Sequence, residues 1–266
     1  MTKKEESVEN RIVAAETLAY LIATSASLQR IAAISNHLIP SMASFLNFDN
    51  SSNSNNDGVG VNSASDAATS TSSNSNLYSS NFYFNKYQQQ HTMANSGRSL
   101  GEQENFAKRM RQAAFRVFAS LGANDEEIRK RIIETDNLMP NLVKSLEDSE
   151  EDMQIAAIKC LHSLSRSVQL LRTTFQDHPV WKPLMNMLGA SSTSLENMTV
   201  ASSTLCNLLL EFSPSKEPIL DLGAIQLLCQ LSRKLEPQLR LNGVWGLMVR
   251  KYSIKKCCYF SPSHES

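Results

Sequence analysis

The sequence predicts an all-α fold, a right-handed α-solenoid of stacked helices that is interrupted by a disordered insertion. Helix breakers are scarce, with 9 Gly and 8 Pro in 266 residues, and this composition favours helices over sheets. An apolar pattern with helical spacing also recurs along the chain. One long tract rich in Ser and Asn lacks that pattern altogether.

The recurring pattern is a small residue, an apolar residue four positions later, and another three positions after that. Residues with this spacing lie on one face of a helix. The small residues follow one another at steps of 43, 44 and 42. An earlier copy near the start, Ala14/Leu18/Leu21, predicts the same kind of helix there. The later copies are Ala114/Phe118/Leu121, Ala157/Leu161/Leu164, Ala201/Leu205/Leu208 and, beginning again, Gly243/Leu247.

A second apolar pattern keeps step with the first. It occurs at Met139/Leu142, Trp181/Leu184 and Ile225/Leu228, with steps of 42 and 44. Two patterns in phase at this period are typical of armadillo and HEAT arrays. One unit of such an array cannot bury its apolar face alone, and stacking on its neighbours buries it. The sequence therefore predicts an armadillo-type solenoid.

The Ser- and Asn-rich tract predicts where the array is interrupted. Of the 27 residues at 50–76, 16 are Ser or Asn. The tract therefore has too few apolar side chains to offset the conformational entropy that would be lost on folding. Ala14 precedes Ala114 by 100 residues, which is one repeat plus roughly 57 inserted residues. The predicted organisation is a partial repeat at 8–46, a disordered insertion at 47–98, about three repeats and the start of another at 99–248, and an aberrant tail at 249–266.

Both ends depart from the polar caps that a solenoid needs. The chain opens in mid-array at Val8, and Arg250 stands where the pattern predicts an apolar residue. We interpret the chain as a truncated or alternatively spliced product of a longer array. An unpaired apolar face on its last helix is then expected, with low solubility.

Charge and cysteine content narrow the class of protein. Lys and Arg (26) balance Asp and Glu (26), which argues against nucleic acid or a membrane surface as partner. The polar start does not resemble a signal peptide. Three of the five Cys fall in helical patterns, which predicts buried free thiols in an intracellular, reducing compartment.

No pattern of catalytic residues is found in the sequence. The five His form no metal-ligand spacing, and there is no phosphate loop or nucleophile elbow. We therefore predict no catalytic, cofactor-binding or metal-binding residues, and a protein that is not an enzyme. The basic clusters at 108–111 and 129–131 are expected to be solvated helix faces, with Glu126 and Glu127 pairing with Lys130 and Arg131.

Three stretches are specific enough to suggest a family. ASLGANDEEIRK at 119–130, CLHSLSRS at 160–167 and LCNLLLEFSPSKEP at 205–218 resemble the armadillo repeat-containing protein 8 family, as does ETLAYLI at 16–22. The resemblance implies a non-catalytic scaffold of a CTLH (GID-type) E3 ubiquitin ligase in the nucleus and cytoplasm. It implies bridging between a core that contains a Ran-binding-protein scaffold and a substrate receptor. The resemblance also implies that receptor docking lies largely in the carboxyl-terminal part of the family's array, and that array continues past the point at which this chain departs from it, at Val249.

An importin-alpha-like adaptor for basic peptides is the alternative. That function needs a Trp and, four residues later, an Asn in each repeat, to hold a lysine stem and the peptide backbone. The pairs here are Glu16/Tyr20, Arg116/Ser120, Lys159/Ser163, Ser203/Asn207 and Trp245/Val249. One Trp and one Asn in different repeats favour the scaffold. The candidate protein-contact groove comprises Lys159, Ser163, Ser203, Asn207 and Trp245.

Overall fold

The computed structural model describes residues 8–48, 100–167, 178–210 and 213–249. Their regular secondary structure is entirely helical. Most of the predicted insertion, from residue 49, and the tail from residue 250 lie outside the described residues. Asn47 and Phe48, which the sequence assigns to the insertion, are structured, and Phe48 packs against the core.

The helices are short, and several begin at a residue that caps them. Ser25, Asp125 and Ser194 each accept a hydrogen bond from a backbone N–H of the first turn that follows, and such caps satisfy donors that the helix leaves unpaired. The described helices are α1 (Val8–Thr24), α2 (Ala26–Ile34), α3 (Leu38–Leu46), α4 (Leu100–Leu121), α5 (Glu126–Ile133), α6 (Leu138–Leu146), α7 (Glu151–Ser165), α8 (Trp181–Gly189), α9 (Leu195–Leu208), α10 (Lys216–Asp221), α11 (Ala224–Leu231) and α12 (Pro237–Met248).

The longer helices stack in one row. Helix α1 packs on α4, α4 on α7, α7 on α9 and α9 on α12, and we call these five the ladder helices. A second row runs beside them, in which α3, α6, α8 and α11 contact one another in that order. A row of equivalent helices in which each contacts its neighbours is the arrangement of a solenoid.

The small residues of the predicted pattern lie at the centre of this row. Ala114, Ala157 and Ala201 are each 0% exposed, and Gly243 is buried as well. Small side chains let neighbouring helices approach closely, since a larger one would hold the backbones apart. The structure therefore confirms the predicted all-α solenoid with a step of about 43 residues.

Polar contacts between ladder helices repeat at the same step. The Asn197 amide donates to Gln154 Oε1, 43 residues earlier, at 3.2 Å. Asn207 donates to Ser165 Oγ, 42 residues earlier, at 3.0 Å. Between α1 and α4 the separation is 100 residues, as in the Glu16–Arg116 ion pair, because one repeat there carries the insertion.

The Ala14/Leu18/Leu21 face predicted for α1 is not the face that packs against α4. The register itself agrees with the prediction, because the Glu9–Arg109 and Glu16–Arg116 pairs join residues 100 apart, the separation of Ala14 and Ala114. Ala15, Ala19 and Ile22 form the face packed against α4, with exposures of 4%, 6% and 2%. Ala14 is exposed and Leu21 is 43% exposed. Helix α1 is apolar on two faces, so the same spacing fits both, and the sequence pattern identified the outer one.

The sequence predicted that the basic clusters are solvated helix faces, and this is only partly right: Lys130 is exposed. Arg111 and Arg129 are buried, with exposures of 6% and 8%. The Arg109 guanidinium donates to both carboxylate oxygens of Glu9, at 2.9 and 2.8 Å. Arg131 donates to the Ala33 carbonyl oxygen at 2.8 Å instead of pairing along its own helix. Arg109 thus connects α4 to α1, and Arg131 connects α5 to α2.

Candidate protein-contact groove

The residue two positions after each central small residue is at least partly exposed on its ladder helix. The side chains of Arg116 and Lys159 are 38% and 49% exposed, Ser203 is half-buried and Trp245 is 55% exposed. We call these four residues the contact row. Because the ladder helices stack in register, the row presents one side chain from each of four successive helices.

Two ion pairs lie along the contact row. Arg116 Nη1 is 2.6 Å from Glu16 Oε1, and Lys159 Nζ is 2.6 Å from Glu196 Oε1. Each pair joins neighbouring ladder helices, α1 with α4 and α7 with α9. Exposed pairs of this kind contribute little to stability, about 0–1 kcal/mol. Their charged groups therefore remain available to a binding partner at small cost to the fold.

The five residues proposed from the sequence have different environments. Lys159, Ser203 and Trp245 belong to the contact row, whereas Asn207 is half-buried and donates to Ser165 Oγ. Ser163 is only 5% exposed, and a Cβ placed on Gly122 would lie 2.6 Å from its Oγ. Ser163 therefore lies in the contact between α4 and α7, and its assignment to an accessible groove is wrong.

Arg166 directly follows α7 and is an exposed cation that was not among the residues predicted from the sequence. Arg166 is exposed and its guanidinium donates to the Ala123 carbonyl oxygen. The pKa of His162 lies below its usual value, chiefly because the ring is desolvated by burial and also because Arg166 is nearby. Arg166 is the residue after the end of α7 and lies seven positions, about two helical turns, after Lys159, so extending the spacing of the row along α7 would have identified it.

The described cysteines have no features of a reactive site. Burial raises the pKa of the Cys160 thiol far above its usual range and that of Cys206 to about 11, so both are protonated at neutral pH. They are free thiols, as predicted, and Cys229 is a half-buried third. Within the described ranges, no cluster of His, Cys, Asp or Glu could hold a metal ion. No helix in the same ranges is long and apolar enough to cross a membrane.

Comparison with known proteins decides the family. The chain is 46% identical over 248 residues to armadillo repeat-containing protein 8 from Pongo abelii, covering 93% of this chain and 31% of that protein. The counterpart from Xenopus laevis is 45% identical over 256 residues, with 93% and 35% covered. Over these aligned residues, the chain belongs to the armadillo repeat-containing protein 8 family. It spans about a third of the length of these relatives.

A more distant relative is named as a subunit of a protein complex. GID complex subunit 5 of Schizosaccharomyces pombe is 35% identical over 129 residues, which cover 48% of this chain and 16% of that protein. No protein-family model matches the chain.

Solved structures support the fold of this armadillo repeat-containing protein 8 relative. Two engineered proteins align over 93% of the chain with TM-scores of 0.61 and 0.53, covering 76% and 93% of those proteins. Both are 14% identical to it, so they inform on the fold alone.

Proposed function

We propose that this chain is a non-catalytic scaffold segment of a GID (CTLH)-type E3 ubiquitin ligase, acting in the nucleus and cytoplasm. In this proposal it bridges the core of the complex, which contains a Ran-binding-protein scaffold, to a substrate receptor. The observation that carries the proposal is the contact row on stacked ladder helices, in a chain homologous to a protein named as a GID complex subunit.

The chemistry of the contact row suits a protein partner. It combines two cations, a small hydroxyl and a half-exposed aromatic ring in Trp245, and interfaces are enriched in Trp and Arg. The helices that carry the row are fixed by packing on both sides in α4, α7 and α9. A partner therefore binds without ordering a flexible segment first, which lowers the entropic cost of association.

The importin-alpha-like alternative has no support among the described residues. Its first pair, Glu16/Tyr20, supplies neither a Trp nor an Asn, and Glu16 forms an ion pair with Arg116. The Asn207 amide is engaged by Ser165, so it is not free to hold a peptide backbone. Lys159 and Arg116 would also repel a basic peptide.

Affinity purification from cells tests the proposal. We expect the tagged chain to recover the other ligase subunits, detected by quantitative mass spectrometry. Trp245→Ala is expected to reduce that recovery about tenfold or more, since truncating an aromatic side chain that anchors an interface costs about 2 kcal/mol or more of binding free energy. Lys159→Glu is expected to reduce it as well, because it replaces the cation of the row with a second carboxylate beside Glu196.

Lys144→Glu is the matched control for charge reversal, because Lys144 is exposed on α6 in the neighbouring row of helices. It should recover the subunits as the unmodified chain does. If the unmodified chain recovers no ligase subunit, the proposal is wrong. If the unmodified chain recovers the ligase subunits, and Trp245→Ala and Lys159→Glu recover them equally well, the contact row is not the binding surface.

A further inference from the structure

The short loop at 147–150, which connects α6 to α7, carries an exposed serine, Ser149. The backbone N–H of Glu150 donates to Asp148 Oδ1 at 2.9 Å, and this hydrogen bond closes an Asx-type turn with Ser149 at its centre. Because Ser149 is exposed and lies outside both helices, its hydroxyl group is accessible to an enzyme from solution.

Acidic side chains flank Ser149 on both sides. The sequence at 147–152 is EDSEED, so carboxylates stand at the first, second and third positions after the serine. Each of these six residues is exposed or half-buried. Protein kinases select substrates partly by patterns of charge, and a basic substrate groove is complementary to acidic residues that directly follow the serine.

The acidic segment is only weakly held in its folded conformation. Lys108 Nζ on α4 is 2.8 Å from Glu150 Oε1, but the Glu150 side chain is 57% exposed, and pairs of this kind break at little cost. Helix α7 has no side-chain cap at Glu150, and Glu151 and Asp152 are exposed in its first turn. Since helix ends fray, this segment can enter a substrate groove while the rest of α7 stays packed.

Ser145 provides a comparison within the same part of the chain. It also has acidic residues at the second and third positions after it, Glu147 and Asp148, so the sequence alone offers both serines. In the structure Ser145 lies within α6 and is 1% exposed. Its hydroxyl group cannot reach the active site of a kinase while α6 is folded, and the structure therefore distinguishes the two serines.

We propose that Ser149 is a phosphorylation site for an acidophilic Ser/Thr protein kinase. Ser149 Oγ attacks the γ-phosphorus of ATP, the bond from that phosphorus to the β–γ bridging oxygen breaks, and ADP leaves with the electron pair. The hydroxyl proton passes to the catalytic carboxylate of the kinase. The phosphate adds a charge of about −1.5 to −2 to the loop at neutral pH. This inference does not depend on the ligase assignment.

Incubation of the full 266-residue chain with ATP and casein kinase II, an acidophilic Ser/Thr kinase, tests the proposal. Trypsin cleaves after Lys144 and Lys159, and the peptide between them, 145–159, contains Ser145 and Ser149 as its only hydroxyl side chains. We expect mass spectrometry of this peptide to detect one phosphate, located on Ser149 by fragmentation. Ser149→Ala should remove it.

Asp152→Asn removes the carboxylate at the third position after the serine, and it is expected to slow phosphorylation of the 145–159 peptide several-fold. Asp136→Asn is the matched control, because Asp136 is exposed outside this segment, and it should be phosphorylated as fast as the unmodified chain. Circular dichroism establishes that each variant is folded. A peptide without phosphate, a phosphate on Ser145, or equal rates in the two Asn variants would each overturn the proposal.

Discussion

Replacing Arg129 with Met is expected to lower the free energy of unfolding by about 2–4 kcal/mol. Arg129 is only 8% exposed. Its Nη1 donates to the Gly122 carbonyl oxygen at 2.9 Å and its Nε to Ser167 Oγ at 2.5 Å. Burial lowers the pKa of the guanidinium, yet arginine remains charged at neutral pH.

The size of the expected loss follows from what Arg129 contacts. Gly122 immediately follows α4, whose last carbonyl groups have no partner within the helix. A cation at this end also interacts favourably with the helix dipole. Methionine fills a similar volume but leaves the Gly122 oxygen without this donor, and a buried unpaired acceptor costs about 1–3 kcal/mol.

Urea unfolding followed by circular dichroism measures this change. Lys130→Met is the control, because Lys130 is the exposed neighbour of Arg129 on α5, and it should alter the free energy of unfolding by less than about 0.5 kcal/mol. Equal losses in the two variants would show that Arg129 has no special structural role.

Replacing Gly243 with Ala is expected to destabilise the fold by about 2 kcal/mol or more. A Cβ at this position would lie 2.4 Å from the Ser232 nitrogen and 2.8 Å from the Leu228 carbonyl oxygen. Both are backbone atoms at the end of α11, so α11 and α12 must move apart. Alanine gains about 1 kcal/mol of helix propensity over glycine, which is less than this overpacking costs.

Gly101→Ala serves as the control, because no atom lies within 4 Å of a Cβ placed there. That variant should be as stable as the unmodified chain or slightly more stable, as judged by the urea midpoint. The account of the α11–α12 contact fails if Gly243→Ala is also neutral or stabilising.

The repeated step of about 43 residues could be recognised in the sequence, because helix stacking requires a small residue at the same position of each repeat. Ala114, Ala157 and Ala201 occupy equivalent buried positions. Any larger side chain there would separate two helices, so the pattern is visible in a single sequence. The three free thiols were predictable for a similar reason, since they fall in apolar helical patterns. The predicted division of the chain at 47–98 and 249–266 stays a prediction.

The sequence could not show which face of α1 packs on α4, because Ala14/Leu18/Leu21 and Ala15/Ala19/Ile22 have the same spacing and both faces are apolar. Choosing between them requires the position of α4. The contact row was predicted only in part, because spacing along one helix cannot show that Gly122 of the neighbouring repeat brings the backbone close to Ser163.

The burial of Arg129 could not be predicted from local sequence either. A cluster of three basic residues normally indicates a solvated surface. Arg129 is held in its buried position by hydrogen bonds to the Gly122 carbonyl group, seven residues earlier, and to Ser167, 38 residues later. The Gly122 carbonyl group and Ser167 come within hydrogen-bonding distance of Arg129 only when α4, α5 and α7 are packed together.

The central claim is that Ala114, Ala157 and Ala201 are equivalent positions in one stack of helices. Urea unfolding of Ala114→Leu, Ala157→Leu and Ala201→Leu, with Ala23→Leu on the exposed surface of α1 as control, tests it most directly. Each buried substitution is expected to lower the free energy of unfolding by about 1–3 kcal/mol, and the control should leave it unchanged. Loss at one or two of the three positions, with no loss at the rest, would contradict the stack.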